Sequence, residues 1–372
     1  MKKVNKLLSL LLVLSMCMSL AACGSGTDTT TAAADTTPAA ETSATTAETT
    51  TAEAPTTEGV TEPEGQYPVT LTDHAGRSVT IEAQPEKIVS GYYVSSTLLI
   101  SLGLKDKVVG IETNAKSRSI YALANPQFLD LPSVGSAKEF DVEGCAALEP
   151  DLVIVPLKAK DAAATLEELG ITVLVINPEN DQLLAETIAM VGAAAGVTDQ
   201  CTALQSYIDD KNTELATLLK DLDKPTVYLG GNSAFLSTSG AQMYQNTLIE
   251  KAGGANAAAE LTDTYWAEIS YEQLLAWNPE YIIIAPAAEY TVESVLSDPQ
   301  LADLTAIQEG KVYQMPNTLE SWDSPIPASI LGSLWLASVL HGDVYGQESF
   351  EVDVILFYQT FYNVTVDPAQ LQ

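Results

Sequence analysis

The segment Val142-Glu-Gly-Cys-Ala-Ala-Leu-Glu-Pro-Asp-Leu-Val-Ile-Val155 contains a short helical pattern, a proline and then a run of apolar residues. Pro150 ends the helical pattern, because a proline disfavours the helical conformation in the residue before it. The four apolar residues that end the segment are typical of a strand buried on both faces of a parallel sheet. The segment therefore predicts a helix that leads directly into a central strand.

The same arrangement occurs a second time, in Tyr271-Glu-Gln-Leu-Leu-Ala-Trp-Asn-Pro-Glu-Tyr-Ile-Ile-Ile284. Each copy has a glutamate, six further residues, a proline, an acidic residue and four apolar residues. Two similar units about 130 residues apart indicate two related lobes. Chance similarity between two helix-proline-strand units is the alternative.

Other apolar runs alternate with helical patterns around these copies, which predicts an α/β fold with parallel sheets covered on both faces. An uninterrupted helical stripe at 198–222 would reach roughly 35 Å, long enough to join the two lobes. The predicted fold is therefore two Rossmann-like lobes joined by one long rigid α-helix, with a ligand cleft between them. The lobes are expected at 66–197 and 223–372.

The N-terminus has the features of a secretory signal, with Lys2, Lys3 and Lys6 before an apolar stretch that ends in Leu20-Ala-Ala-Cys23. This ending resembles the bacterial lipobox, which implies a signal peptide at 1–22 and a lipid on the sulfur of Cys23. A plain signal peptide or a short anchor is the alternative. The composition of 23–65, rich in Thr, Ala and Glu, predicts a disordered linker.

Charge bears on the possible binding partners, and cysteine content bears on a possible disulfide. A net charge of -32 argues against binding to nucleic acid or to anionic lipid surfaces. A disulfide between Cys145 and Cys201 is possible in a secreted chain. Both lie in helical patterns rich in Ala and Leu, so two buried free thiols are expected.

From Tyr67 onward the chain resembles the substrate-binding proteins of ABC importers for ferric siderophores, haem and cobalamin. The resemblance rests on the hairpin pattern Tyr67–Ile81, on Pro85-Glu-Lys-Ile-Val-Ser90, on the segment from Glu143 to Val155 and on the long connecting helix. It implies a monomer that delivers a small molecule to a permease dimer with ATPase subunits. The loop from Gly91 to Thr97 departs from the family pattern, which leaves the ligand type open.

The resemblance also implies that Glu143 and Glu272 dock onto arginines of the permease, one from each lobe. Paired carboxylates at equivalent positions suit a two-fold, arginine-bearing partner. Ordinary solvation of two helix surfaces is the alternative.

In doubly wound sheets, ligands bind beyond the carboxyl ends of the strands. This rule selects as candidate ligand-binding residues Tyr92, Tyr93, Asn114, Lys116, Arg118, Lys158, Tyr244, Tyr265, Trp266, Glu320, Trp322 and Asp323. Together with Lys160, the basic members of this set suggest an anionic ligand, with ordinary solvated lysines as the alternative.

Trp322 is predicted to offer a flat stacking surface to a planar or aromatic ligand. It would lie in a loop before a helix that starts around Pro325 to Pro327, with Asp323 or Ser324 as its cap, and that ends at Gly342. A core position for Trp322 and a capping role alone for Asp323 are the alternatives.

The sequence lacks the groups that catalysis would need, because its two histidines are far from any candidate nucleophile. A bare transition metal is also disfavoured, so no cofactor is expected and any metal should arrive inside an organic chelate or a macrocycle. We therefore expect a lipid-anchored protein on the outer face of a bacterial cell membrane that captures an iron complex, such as a siderophore or haem, or a corrinoid. A surface sensor or interaction protein with the same fold, or a binder of a small chelate or an oxyanion, are the alternatives.

Overall fold

The structure is a computed structural model that describes residues 67–262 and 266–371. The predicted signal peptide, Cys23, the linker and Tyr265 lie outside the described residues. The strands are β1 (Val69–Thr72), β2 (Ser78–Ile81), β3 (Ile88–Ser90), β4 (Val108–Ile111), β5 (Leu152–Pro156), β6 (Val173–Ile176), β7 (Thr226–Gly230), β8 (Ser237–Ser239), β9 (Ala255–Asn256), β10 (Trp266–Glu268), β11 (Tyr281–Ile284) and β12 (Val312–Gln314).

The α-helices alternate with these strands along most of the chain. They are α1 (Tyr93–Ser101), α2 (Ser119–Ala124), α3 (Val142–Ala146), α4 (Lys160–Glu168), α5 (Asp181–Ala195), α6 (Thr198–Leu219), α7 (Tyr244–Lys251), α8 (Tyr271–Trp277), α9 (Val292–Leu296), α10 (Thr305–Gln308), α11 (Ser329–Leu340) and α12 (Gln347–Phe357). A π-helical turn, Tyr358–Tyr362, follows α12 directly.

The N-terminal lobe contains a parallel sheet in the order β4-β3-β5-β6. Alternate residues of β5 enter two different apolar cores, with Val153 and Val155 in one and Leu152 and Ile154 in the other. Because side chains alternate across a strand, a strand that is apolar at every position needs cover on both faces. The continuous apolar runs therefore predicted this sheet correctly. The predicted hairpin forms as the antiparallel pair β1-β2.

The C-terminal lobe contains a mixed sheet in the order β10-β8-β7-β11-β12, with β9 also paired to β7. Strands β7, β9, β11 and β12 are parallel, and β8 and β10 run antiparallel to their neighbours. Ile282 and Ile284 face one core while Ile283 faces the other. The α/β fold class predicted from the sequence is therefore confirmed.

The two copies of the helix-proline-strand unit have the same local structure. The residue before each proline has a positive φ, 50° at Glu149 and 43° at Asn278. The acidic residue after each proline accepts a hydrogen bond from a backbone N–H group at the start of the neighbouring parallel strand or directly before it. Asp151 Oδ2 accepts from Lys87 N at 2.8 Å, and Glu280 Oε1 accepts from Thr226 N at 3.0 Å.

Helix α6 connects the two lobes. Its buried residues Leu204, Leu215 and Leu219 belong to one apolar core that also contains side chains from both lobes. The helix ends at Leu219, three residues before the predicted end at residue 222. Leu222 is partly exposed and lies in a turn. Its side chain therefore gains little from a longer helix.

The start of α11 differs from the prediction. The helix begins at Ser329, behind Pro325 and Pro327, and Ala328 at its N-cap provides no side-chain hydrogen bond. Residues 322–328 form turns and bends instead, with Ile326 N donating to Ser324 O. Helix α11 ends at Leu340, two residues before Gly342.

Two further findings concern cysteines and membrane spans. Cys145 and Cys201 are buried free thiols, as expected. Within 67–262 and 266–371, no helix combines the length and apolar character needed to cross a bilayer.

Candidate functional site

A cavity of about 260 Å³ lies between the two lobes. Its N-terminal wall comes from α1 and from the segment after β4, and its C-terminal wall comes from the loop between β12 and α11. The segments that follow β4 and β12 line this cavity, as expected for a ligand site beyond the carboxyl ends of strands in a doubly wound sheet. The lining residues are Tyr93, Thr97, Asn114, Ser117, Arg118, Ser119, Ile120, Asn317, Leu319, Glu320, Ser321, Ser324 and Ile326.

Arg118 provides the positive charge of the cavity lining and is held by the buried Glu112. Arg118 Nε donates to Glu112 Oε1 at 3.2 Å, and its guanidinium lies 4.5 Å from the centre of the Tyr93 ring. Glu112 also accepts from Tyr121 Oη at 2.7 Å and from Ser96 Oγ at 2.6 Å. A guanidinium has five N–H donors, and the contact with Glu112 uses the one on Nε. These contacts hold Arg118 in the cavity lining.

Glu320 lies in the opposite wall and is 7% exposed. It accepts hydrogen bonds from Tyr358 Oη at 2.9 Å and from Tyr362 Oη at 3.4 Å. Burial raises the pKa of Glu320 to about 7, although both phenols and Arg118 act to lower it. Near neutral pH this carboxyl group can therefore be either a hydrogen-bond acceptor or a donor.

The two phenols that hold Glu320 come from the π-helical turn after α12. Such turns are rare and occur frequently at functional sites. Tyr358 and Tyr362 are the first and last residues of this turn, and both hydroxyl groups donate to the Glu320 carboxylate.

Trp322 does not form a wall of the cleft, which corrects the prediction of a stacking surface. Its side chain is 1% exposed, packs edge-on against Phe350 and donates through Nε1 to Tyr358 Oη at 2.9 Å. A Cβ atom at Gly332 would lie 2.6 Å from Trp322 O, so α11 packs directly against this loop. Trp322 therefore belongs to the core and reaches the site through Tyr358 and Glu320.

Asp323 lies behind the cavity lining. It is 4% exposed, and its Oδ2 atom lies 3.4 Å from Gln245 Nε2, the donor. Burial raises the pKa of Asp323 to about 6. The Asp323 side chain contacts Gln245 of α7 and does not cap α11, whose N-cap residue is Ala328.

The structure brings four of the predicted ligand-binding residues together in the cavity lining, namely Tyr93, Asn114, Arg118 and Glu320. Tyr92 is half-buried beside Tyr93, with their ring centres 4.9 Å apart.

The remaining predicted residues lie elsewhere. Lys116, Lys158 and Lys160 are exposed and are absent from the lining of the cavity. Tyr244 is buried, donates to Ser329 Oγ at 2.6 Å and lines a different cavity. Trp266 is 38% exposed on strand β10, and a Cβ atom at Gly231 would meet its ring at 2.9 Å.

Sequence reasoning missed most of the hydroxyl and amide groups of the site. Ser117 and Ser119 flank Arg118, and Asn317 follows β12, so a wider search of the loops after strands would have found them. Glu112 directly follows β4 and could have been found in the same way. Tyr358 and Tyr362 carry no such signal, because they follow helix α12 and do not lie in a loop after a strand.

Glu143 and Glu272 occupy equivalent exposed positions in the first turns of α3 and α8. Each helix has a side-chain cap, Asp141 in the first lobe and Ser270 in the second. Hydrogen bonds to the backbone and to Ser270 lower the pKa of Glu272. Both glutamates present a carboxylate to solvent at the same point of the repeated unit.

In the part of the chain that the structure describes, no three His, Cys, Asp or Glu side chains cluster as they would around a metal ion. The two histidines make structural contacts. His74 Nδ1 accepts from Asn177 N at 2.7 Å, and His341 Nε2 lies 3.2 Å from Gly253 O.

The sequence profile of the family described as "Periplasmic binding protein" matches residues 88–319. The molybdate-binding protein MolA of Haemophilus influenzae is 24% identical over 325 residues, which cover 80% of this chain and 92% of MolA. An uncharacterized ABC transporter substrate-binding lipoprotein of Bacillus subtilis, YvrC, is 27% identical, with 70% of this chain and 82% of YvrC covered.

A cobalamin-binding protein of Halobacterium salinarum is 26% identical over 228 residues, which cover 60% of each chain. Among solved structures, a periplasmic solute-binding protein of Veillonella parvula superimposes with a TM-score of 0.72 at 23% identity. That alignment covers 81% of this chain and 95% of the other. At this identity the structural match concerns the fold.

Proposed function

The chain belongs to the periplasmic binding protein family, the substrate-binding components of ABC importers, and we propose that its cleft binds a compact anionic metal compound. The observation that carries this proposal is the position of Arg118. Its guanidinium lies in an inter-lobe cavity whose other lining groups are mainly hydroxyls and amides. Planar guanidinium donors and hydroxyl groups are the partners that oxyanions and carboxylates prefer.

The size of the cavity favours a compact solute. A volume of about 260 Å³ lies at the lower limit of small-molecule pockets, which usually enclose about 300 Å³ or more. A metal oxyanion or a small anionic iron chelate would suit this volume and the donors around it. The relative named as a molybdate-binding protein supports the oxyanion as the first candidate.

A larger iron complex, such as a siderophore or haem, or a corrinoid is the second candidate. Trp266 favours it, because this partly exposed indole lies beside Gly231, just after the carboxyl end of β7. An indole at this edge would offer a flat surface to a macrocycle. The relative named as a cobalamin-binding protein supports the same class.

The first test is a calorimetric titration of the purified protein with molybdate, tungstate, sulfate, ferric citrate, haemin and cobalamin. We expect saturable binding of one class, with an affinity at least about tenfold lower in Arg118→Gln, because a charge-assisted hydrogen bond is lost. Lys116→Gln is the matched control, since it removes an exposed positive charge two residues away. Equal losses in both variants, or binding unchanged in Arg118→Gln, would contradict the proposal.

We also propose that the protein is anchored outside the cytoplasm by a lipid on Cys23 and presents its solute to a permease through Glu143 and Glu272. The lipobox-like ending of the leader supports the anchor, and the equivalent exposed positions of the two glutamates support the docking. Cys23→Ser should release the protein from washed membranes into the soluble fraction. Membrane association that survives this change would argue for a different anchor.

A further inference from the structure

Among the described residues that line the inter-lobe cavity, two have charged side chains, Arg118 of the N-terminal lobe and Glu320 of the C-terminal lobe. The guanidinium of Arg118 already has a carboxylate partner, because it donates to Glu112 at 3.2 Å. With Glu320 ionised, these three groups carry a net negative charge, and with Glu320 protonated they carry none. The charge that an anion meets in this cavity therefore depends on one proton.

The hydrogen bonds of Glu320 leave one of its oxygen atoms able to hold that proton. Tyr358 Oη accepts from Trp322 Nε1 at 2.9 Å, so its own hydrogen is directed to Glu320 Oε2, also at 2.9 Å. Glu320 Oε1 has a longer contact, at 3.4 Å from Tyr362 Oη. A protonated carboxyl group has one O–H donor and keeps acceptor capacity. Oε1 can therefore carry the proton while the bond to Tyr358 persists.

The other titratable groups near Glu320 add no positive charge to balance an ionised carboxylate. Asp323, three residues further along the same loop, is a second buried acid. The phenols that contact Arg118 or Glu320 have pKa values raised by burial, so they stay neutral near pH 7; they are Tyr93, Tyr121, Tyr358 and Tyr362. The positive charge opposite Glu320 is thus that of Arg118, which Glu112 already neutralises.

We propose that the cleft binds a fully ionised oxyanion together with one proton, and that Glu320 holds this proton in the complex. The inference rests on the proposed function of the cleft and specifies the class of solute and the proton that accompanies it. A carboxylate in the cavity wall repels the anion held by Arg118, whereas a neutral carboxyl group does not. This effect acts through charge, so it needs no direct contact between Glu320 and the anion.

Charge interactions in this wall are weakly screened, because Glu320 is 7% exposed and the phenols that bond to it are buried. Like charges repel more strongly in such surroundings than in water. Burial already raises the pKa of Glu320 to about 7. A bound anion adds a like charge, which raises this pKa further. Anion binding above pH 7 should therefore draw a proton from solution.

Isothermal titration calorimetry with molybdate counts this proton. Titrations at pH 8 in two buffers with different ionisation enthalpies give the number of protons taken up for each molybdate bound. We expect a number close to one, because Glu320 is mostly ionised at pH 8 in the free protein and protonated in the complex. At pH 6 Glu320 already holds its proton, so uptake should be near zero. Dilute molybdate carries no proton at either pH, so the proton goes to the protein.

The affinity for molybdate should show the same linkage. Because the pKa of Glu320 is higher in the complex than in the free protein, binding is favoured at low pH and weakens as pH rises through about 7. The dissociation constant should therefore rise about tenfold between pH 6 and pH 8. Binding that tightens toward pH 8 would contradict the proposal.

Glu320→Gln separates this proton from other effects of pH. Glutamine stays neutral and keeps an oxygen that accepts from the phenols. The variant should take up no proton at pH 8, and it should bind molybdate about tenfold more tightly than the unmodified protein at that pH and equally at pH 6. Asp323→Asn is the matched control, because it neutralises the other buried acid of this loop, which lies behind the cavity lining. This control should keep the uptake of one proton.

Four results would overturn the inference. They are molybdate binding at pH 8 without proton uptake, binding with proton release, uptake that survives in Glu320→Gln, and uptake that is lost in Asp323→Asn. All four leave the proposed function intact, because molybdate still binds. If molybdate does not bind, the inference fails, and titrations with the other solutes decide the proposed function separately. If a variant does not fold, as judged by circular dichroism, the proton count and the pH dependence of the unmodified protein still decide.

Discussion

Glu320 is a buried carboxyl group whose hydrogen bonds come from two phenols, while the nearby Arg118 is bonded to Glu112. Burial disfavours the charged form, and the hydrogen bonds from the two phenols and the charge of Arg118 only partly offset that effect, so the pKa is raised to about 7. An anionic solute close to this group should therefore bind more tightly when Glu320 is protonated. The same shift makes the stability of the fold depend on pH.

The stability effect can be measured with Glu320→Gln. The pKa of Glu320 is higher in the folded state, so its stabilising contribution is complete below pH 4.5 and is lost as pH rises through about 7. Glutamine stays neutral and can still accept from the phenols. Relative to the unmodified protein, the variant should gain up to about 3 kcal/mol of unfolding free energy at pH 8 compared with pH 4. Urea denaturation at both pH values gives this difference.

Glu143→Gln is the control, because it removes an exposed carboxylate at a helix start and should show little such gain. A gain for Glu320→Gln that is the same at pH 4 and pH 8 would mean that Glu320 does not titrate in this range.

Arg118 and Trp322 show what sequence can predict at the scale of single residues. Arg118 was identified because basic residues are scarce in this chain and it lies in a loop after a strand. Trp322 also lies in such a loop, but its orientation depends on Gly332, Phe350 and Tyr358. These partners are distant in sequence, so no local pattern reveals that the indole points into the core.

At the scale of the elements, the repeated helix-proline-strand unit connects neighbouring parallel strands by hydrogen bonds. The acid after each proline binds backbone N–H groups at the start of the adjacent strand and so fixes the alignment of two parallel strands. Asp151 does so beside β3, and Glu280 does so beside β7. The sequence repeat is thus explained by a repeated hydrogen-bonding pattern.

If these hydrogen bonds align the strands, removing the acid in either lobe should lower the stability of the protein by a similar amount. Asp151→Ala and Glu280→Ala should each lower the unfolding free energy by about 1 kcal/mol, because backbone donors lose their partner in a largely solvated setting. Asp161→Ala is the control, since this exposed acid is in the first turn of α4. Denaturant melts would contradict the prediction if the control variant lost as much stability as the other two.

Elements with continuous apolar runs were predictable, and elements shaped by irregular packing were not. Strand β11 coincides with a predicted apolar run and β5 extends one residue beyond the other, because burial on both faces requires apolar residues at every position. The start of α11 was not predictable, since the two prolines before it suit either a first helical turn or a separate turn. Packing of the loop against Gly332 selects the second arrangement.

At the scale of the whole molecule, one apolar core runs through both lobes and includes residues of the connecting helix α6. A helix buried in this way is a stiff connection, so the lobes can change their relative position only to a limited extent. The cleft and the pair of equivalent glutamates on α3 and α8 both include residues of the two lobes. The proposed docking onto a permease would therefore use both lobes at once.

That requirement can be tested by charge reversal on both lobes. Glu143→Arg together with Glu272→Arg should abolish solute uptake into cells or vesicles that contain the permease, because two docking carboxylates become repulsive charges. Solute affinity should stay unchanged, since neither residue lines the cleft. Asp161→Arg with Glu348→Arg is the matched control, because these are exposed first-turn acids of α4 and α12 and the net charge changes equally. Uptake that persists in the first double variant would remove the docking role and favour a surface sensor or interaction protein.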